Sequence, residues 1–254
     1  MQISAKQLRQ MASDVDDQHH QAMRTFTEEA SELHLGAARA SRRRFLHRAG
    51  LAGASGTLLS VGGGLVPFAR LIGPAAAQDG LTDTSIAGFA QSVELAAVAA
   101  YDAAAPALSG DVLAVAQLFR SHHQDHADAF GAVAGDDARP EPNAALVEAV
   151  TPTLQSVSDA VAAGQDVTTD VLAFAKVVEN QAAYTYAAAL TLLTDPAYAA
   201  ATSTILPIEA QHATVLSLAL GEGPDQWFPT GAFESAALGD GTDPLAGFDP
   251  ALFA

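Results

Sequence analysis

The chain has 254 residues, no cysteine and a formal net charge of −17. Without cysteine there can be no disulfides, thiolate metal sites, iron–sulfur clusters or lipid-modified cysteine anchor. The charge is unevenly divided: residues 1–77 hold nine Lys/Arg against six Asp/Glu, whereas residues 78–254 hold three Lys/Arg against 23 Asp/Glu. So acidic a region repels nucleic acid and anionic lipid, so neither is expected as a partner.

In chain order, Met1 to Ala40 reads as a long leader with helical character over Lys6 to Leu35 and three histidines, His19, His20 and His34. It is expected to precede processing rather than to form part of the fold. Ser41-Arg42-Arg43-Arg44-Phe45-Leu46 resembles the twin-arginine export signal, and a weakly hydrophobic Gly/Ala stretch follows it. Ala75-Ala76-Ala77 then supplies an A-x-A cleavage signal. Six glycines between Gly50 and Gly64 favour a cleaved signal over a stable membrane span. The resemblance implies an extracytoplasmic protein (periplasmic, envelope-bound or secreted) whose mature chain begins near Gln78 and keeps no membrane span. The segments are then a leader and signal over 1–77, a domain over 78–221, and a tail over 222–254 rich in Gly, Pro and aromatics that packs on the domain.

From Gln78 onward the apolar periodicity is helical, with no β-type alternation of useful length. Asp83 or Thr84 can cap a first helix ending near Pro106, and Ser109 or Asp111 a second ending near Gly135. A third starts at Thr168 or Thr169. Asp195-Pro196 opens a fourth that stops at Gly221. Asp136 to Gln165 reads as a long crossover with a short helix after Pro152. Pro207 leaves the Ser203 carbonyl without its helical donor, which signals a kink, a bulge or a break into two helices.

These helices repeat. FAQSVELAAVAAYDAAA at 89–105 and FAKVVENQAAYTYAAAL at 174–190 share Phe89/Phe174, Val93/Val178, Glu94/Glu179, Ala97/Ala182 and Tyr101/Tyr186. HHQDHADAF at 122–130 and IEAQHATVL at 208–216 pair His126 with His212 and set His123 opposite Glu209. Ala90, Glu94, Ala97 and Tyr101 fall on one helical stripe, as do Ala175, Glu179, Ala182 and Tyr186. Phe119, His123, His126 and Phe130 form a third stripe, and Ile205, Glu209, His212 and Leu216 a fourth. This register turns His123 inward and leaves His122 beside the seam. Tyr101 and Tyr186 are expected to fill core.

Three buried carboxylates cost several kcal/mol each unless they are paired. Arg120 lies off the seams, and Lys176 could reach at most one glutamate. Cations from outside are the natural remedy, and imidazoles beside carboxylates are ligands for iron, manganese or zinc.

The pattern Glu, His-x-x-His, Glu, Glu-x-x-His on four helices resembles the ferritin-like di-iron carboxylate superfamily. That resemblance covers Thr82 to Gly221. It implies an all-α, antiparallel four-helix bundle with a long crossover, and metal ligation by Glu94, His123, His126, Glu179, Glu209 and His212. His123 stands where the family has a bridging glutamate, so the site is one charge less negative and could hold a di-iron pair or a single ion, with manganese as a substitute. The implied functions are iron oxidation or storage, or oxygen and peroxide chemistry. A metal-free bundle with a structural or desiccation-protective role is the alternative. Metal ions are the expected partners, and a homodimer is compatible with the sequence.

Overall fold

A computed structural model describes residues 3–47, 82–190 and 192–223, and every regular element among them is helical. The apolar signal stretch, the cleavage point at Ala75–Ala77 and nearly all of the tail lie outside these residues. The helices are α1 (Ala5–His47), α2 (Asp83–Ala104), α3 (Gly110–Ala134), α4 (Ala144–Ala162), α5 (Thr168–Leu190) and α6 (Pro196–Ala219). The pairs α2/α3 and α5/α6 form the bundle, α4 lies along α2, and α1 packs on α6 and α3. No helix of the described residues is long and apolar enough to cross a membrane.

Local chemistry sets the helix ends. Thr82, rather than Asp83 or Thr84, caps α2 by accepting from the Ser85 amide, and the Ser85 hydroxyl returns a bond to Thr82. Asp83 is engaged elsewhere: it accepts from the Thr194 and Asp195 amides, both at 2.8 Å, and so ties the start of α2 to the α5–α6 turn. Asp195 caps α6 as expected, accepting from the Ala197 amide. α6 then runs as one helix through Pro207. The crossover helix is longer than the sequence suggests, because Asn143 caps it at Leu146 and it continues through Pro152. Gly88 is required where α2 meets the Gly135–Asp137 turn, since a Cβ there would lie 2.0 Å from the Asp137 carbonyl oxygen.

Two apolar layers sandwich the polar centre. One gathers Tyr101, Val115, Phe119, Leu172 and Leu216, and the other Ala90, Phe130, Tyr186 and Ile205. The leader helix enters both. Leu8, Ala12 and Val15 are buried in the first layer and Phe26 in the second, each large side chain contributing about 1.5–3 kcal/mol on burial. Residues 8–26 therefore pack on the bundle instead of standing apart from the fold. The cause is visible in the sequence: Leu8, Ala12, Val15, His19, Ala22 and Phe26 make a four–three–four–three–four stripe. Ser4 and Gln7 close the helix start reciprocally.

Candidate metal centre

Each bundle helix delivers its polar seam residues to one depth between the apolar layers. Glu94 from α2, His123 and His126 from α3, Glu179 from α5, and Glu209 and His212 from α6 are all buried, at no more than 1% exposure. His123 spans the centre, with Nδ1 at 2.6 Å from Glu94 Oε2 and Nε2 at 3.2 Å from Glu179 Oε1. His126 Nδ1 lies 2.8 Å from Glu209 Oε1. His212 Nδ1 lies 3.1 Å from Glu179 Oε2 and 3.3 Å from Glu209 Oε2. The six side chains form two overlapping groups of metal-ligating type, Glu94–His123–His126–Glu209 and His123–Glu179–Glu209–His212. His123 and Glu209 belong to both. The structure thus brings all six sequence-predicted residues together.

The description of a ferritin-like domain matches residues 82–222, more than half of the chain. The chain belongs to the ferritin-like family. No curated protein and no solved structure matches it significantly.

Within this ferritin-like bundle the tyrosines do more than fill core. Tyr101 on α2 donates to Glu179 on α5, and Tyr186 on α5 donates to Glu94 on α2. The duplication is expressed as two crossed bonds, each fixing the carboxylate of the other copy. Burial, and then the Glu179 charge, raise the Tyr101 phenol well above its usual range, so it stays a proton donor.

His122 is the residue the sequence reading misplaced. It is 1% exposed, its Nδ1 lies 2.9 Å from His212 Nε2, and its Nε2 lies 3.1 Å from Asp16 Oδ1 of α1. Burial, and then the neighbouring His212, lower its pKa to about 3. A neutral His122 accepts from His212 at Nδ1 and donates to Asp16 at Nε2. That leaves His212 Nδ1 as the atom turned toward Glu179 and Glu209. The seam rule failed because α1 covers the flank on which His122 lies. The apolar stripe of α1 was the signal that could have revealed this.

The lysine and arginine near the seams are occupied outside the centre. Lys176 pairs with Glu222, and Arg120 holds Asp102 through two bonds at 2.9 Å. The charge balance comes from imidazole. Burial alone would lower His123, but Glu179, Glu209 and Glu94 outweigh it and hold the ring well above the usual histidine range. His126, opposed by burial and raised by Glu94 and Glu209, is pushed up to about 9. His212 is raised against the same burial by Glu179. Burial would raise Glu94 and Glu179, yet their histidine neighbours lower both. Without an ion, three imidazolium groups can face three carboxylates.

Proton balance does not satisfy every atom. Both carboxylate oxygens of Glu209 and both ring nitrogens of His126 lack a hydrogen bond of acceptable geometry, despite their close approach. Leaving a buried polar group unsatisfied costs about 1–3 kcal/mol. An ion replacing the protons would engage these same lone pairs, so the donor set fits a divalent metal ion.

Proposed function

We propose that this ferritin-like protein holds one or two iron or manganese ions in its bundle core and uses them for iron oxidation or for chemistry with oxygen or peroxide. The ligands would be Glu94, His123, His126, Glu179, Glu209 and His212. The observation that carries this reading is the pair of overlapping donor groups, sealed from water, in which Glu209 and His126 lack hydrogen-bond partners. When bound, the metal supplies one-electron redox chemistry. The chain does the rest. Tyr101 and Tyr186 hold the Glu179 and Glu94 carboxylates in place, His122 orients His212, and Phe119 stacks on the His212 ring at 4.0 Å. A cavity of about 50 Å³ lined by Val93, Glu94, Ala97, Val178 and Gln181 adjoins the Glu94 side of the centre.

One observation favours a second reading. Three imidazolium groups balance three carboxylates, so a metal-free structural bundle is electrostatically feasible. Elemental analysis and melting of protein from its native host separate the two. The metalloprotein reading expects one or two ions per chain and a melting temperature that rises with metal, since ligands of the native state stabilise it. Glu209→Gln should keep the bundle while losing at least about tenfold in metal affinity. An ion-free protein whose melting ignores added metal would establish the structural role.

We further propose export, on the Ser41–Leu46 sequence and the Ala75–Ala77 site. Cleavage there would take α1 with it, so the form that folds before export is the one in which α1 covers His122. Arg42→Lys with Arg43→Lys should retain the protein in the cytoplasm, because paired arginines are read as geometry and not as net charge. Undiminished secretion of that variant would mean the motif is accidental.

A further inference from the structure

A second group of ligating side chains lies outside the core, on α1. Asp16, His19 and His20 fall at positions i, i+3 and i+4, one helical face, and their potential ligand atoms lie within 4.8 Å of one another. The three differ in environment. His20 is largely exposed, with its Nδ1 at 3.2 Å from Asp16 Oδ1. Asp16 is part-buried and also accepts from His122 at 3.1 Å. His19 is 1% exposed, and neither of its ring nitrogens has a hydrogen-bond partner. The nearest acidic group to it, Asp125 Oδ2 on α3, is 3.9 Å from Nε2.

His19 is the anomaly that calls for a ligand. It occupies a position on the stripe of α1 where Val15 and Ala22, the residues to either side, are apolar. Stacking on His122 at 3.8 Å explains how the ring fits, and an apolar ring would fit as well. It does not explain two buried nitrogens without partners, which cost about 1–3 kcal/mol. Two imidazoles and a carboxylate on one face are the donor types that divalent transition ions take.

We propose that Asp16, His19 and His20 form a second binding site for a divalent transition-metal ion, set in the seam between α1 and α3 and separate from the buried core. Bound there, the ion would sit on α1 at the outer end of the Asp16–His122–His212 contact. The site does not depend on metal in the core.

The test uses the full 254-residue chain and Co²⁺ as the probe, in a Glu209→Gln background that weakens the core. Titration followed by visible absorption should find an ion whose affinity falls at least about tenfold on adding His20→Ala, the lower end of what loss of an outer partner does to a metal site. His20 is solvent-facing, so this variant should keep its helical circular dichroism. His19→Gln tests the buried ligand and should weaken the same ion. The proposal is overturned if the Glu209→Gln chain binds no Co²⁺, or if its binding is indifferent to both histidine changes. The two readings fail separately. A single His20-dependent ion in the parent chain, with no second ion, would leave this site standing and remove the core one.

Discussion

The two halves of the bundle descend from one pattern and are no longer equivalent. The α2/α3 half supplies Glu94, Tyr101, His123 and His126, and the α5/α6 half supplies Glu179, Tyr186, Glu209 and His212. The glutamates, the tyrosines and the outer histidines match, and the crossed Tyr–Glu bonds keep the symmetry in three dimensions. Two adjacent positions break it: His123 faces Glu209, and His122 stands where the other half has Ile208. The first difference changes the charge of the centre, the second its supports. An imidazole at 123 lets three imidazolium groups face three carboxylates, whereas a symmetric site of four glutamates and two histidines would reach neutrality only by protonating carboxylates. Tolerance of the metal-free state is thus built into one half only.

The largest effect should come from restoring the match. His123→Glu would put four carboxylates beside two histidines and remove the ring that bridges Glu94 and Glu179. Loss of a partner from a buried ion pair costs about 3–5 kcal/mol, so the metal-free variant should melt roughly 10 °C or more below the parent. Metal should restore more stability to it than to the parent. A metal-free variant as stable as the parent would show that His123 does not balance the carboxylates.

A smaller, graded effect follows from pH. His126 is raised from 6.5 to about 9, and His123 and His212 move the same way. A group whose folded pKa is raised gives stability that is complete below its unfolded pKa and is lost as pH climbs through the folded one. Metal-free protein should therefore lose stability between pH 6.5 and about 9. Glu94 and Glu179 are lowered from 4.5, so their contribution is present above that pH and fades on acidification. Metal replaces the histidine protons and binds better as they leave, so the melting gap between loaded and metal-free protein should widen over pH 6.5 to 9. A gap that stays constant there would mean the imidazoles are neutral in the metal-free fold.

How far the sequence could be read depended on whether a residue's environment came from its own helix. Helix order, the cap at Asp195 and the depth of Glu94, Glu179, Glu209 and His212 follow from spacing alone, because each seam faces the same axis. His123 over His122 was equally legible from its phase with Phe119 and Phe130. The polar roles of Tyr101 and Tyr186 were not, since a stripe says that a side chain points inward and not whether a carboxylate meets it. The packing of α1 was missed for a different reason. Its basic end and the export motif drew residues 1–77 together as a leader, although Val15, His19, Ala22 and Phe26 repeat the spacing of the four bundle seams. His122 and the Asp16 contact were hidden with it.

The second broken match gives the smallest and most discriminating prediction. His122→Ile installs the residue of the other half at a position 1% exposed, so apolar packing should largely survive and the metal-free protein should lose only the cost of the His212 nitrogen left without its acceptor, about 1–3 kcal/mol. What disappears is the acceptor for His212 Nε2 and the donor to Asp16 Oδ1. Without it, His212 can turn, and the choice of which nitrogen carries the proton is no longer fixed. Groups that hold a ligating histidine by its other nitrogen typically contribute about 10–100-fold to metal affinity. Metal titration of His122→Ile should show a loss in that range, with His122→Gln recovering part of it through its amide. If affinity is unchanged while stability falls, His122 is a packing residue, and the α1 side of the bundle contributes nothing to the centre. Equal affinity and equal stability would remove it from the argument altogether, leaving His123 as the one position among the six ligating side chains at which the two halves differ in chemistry.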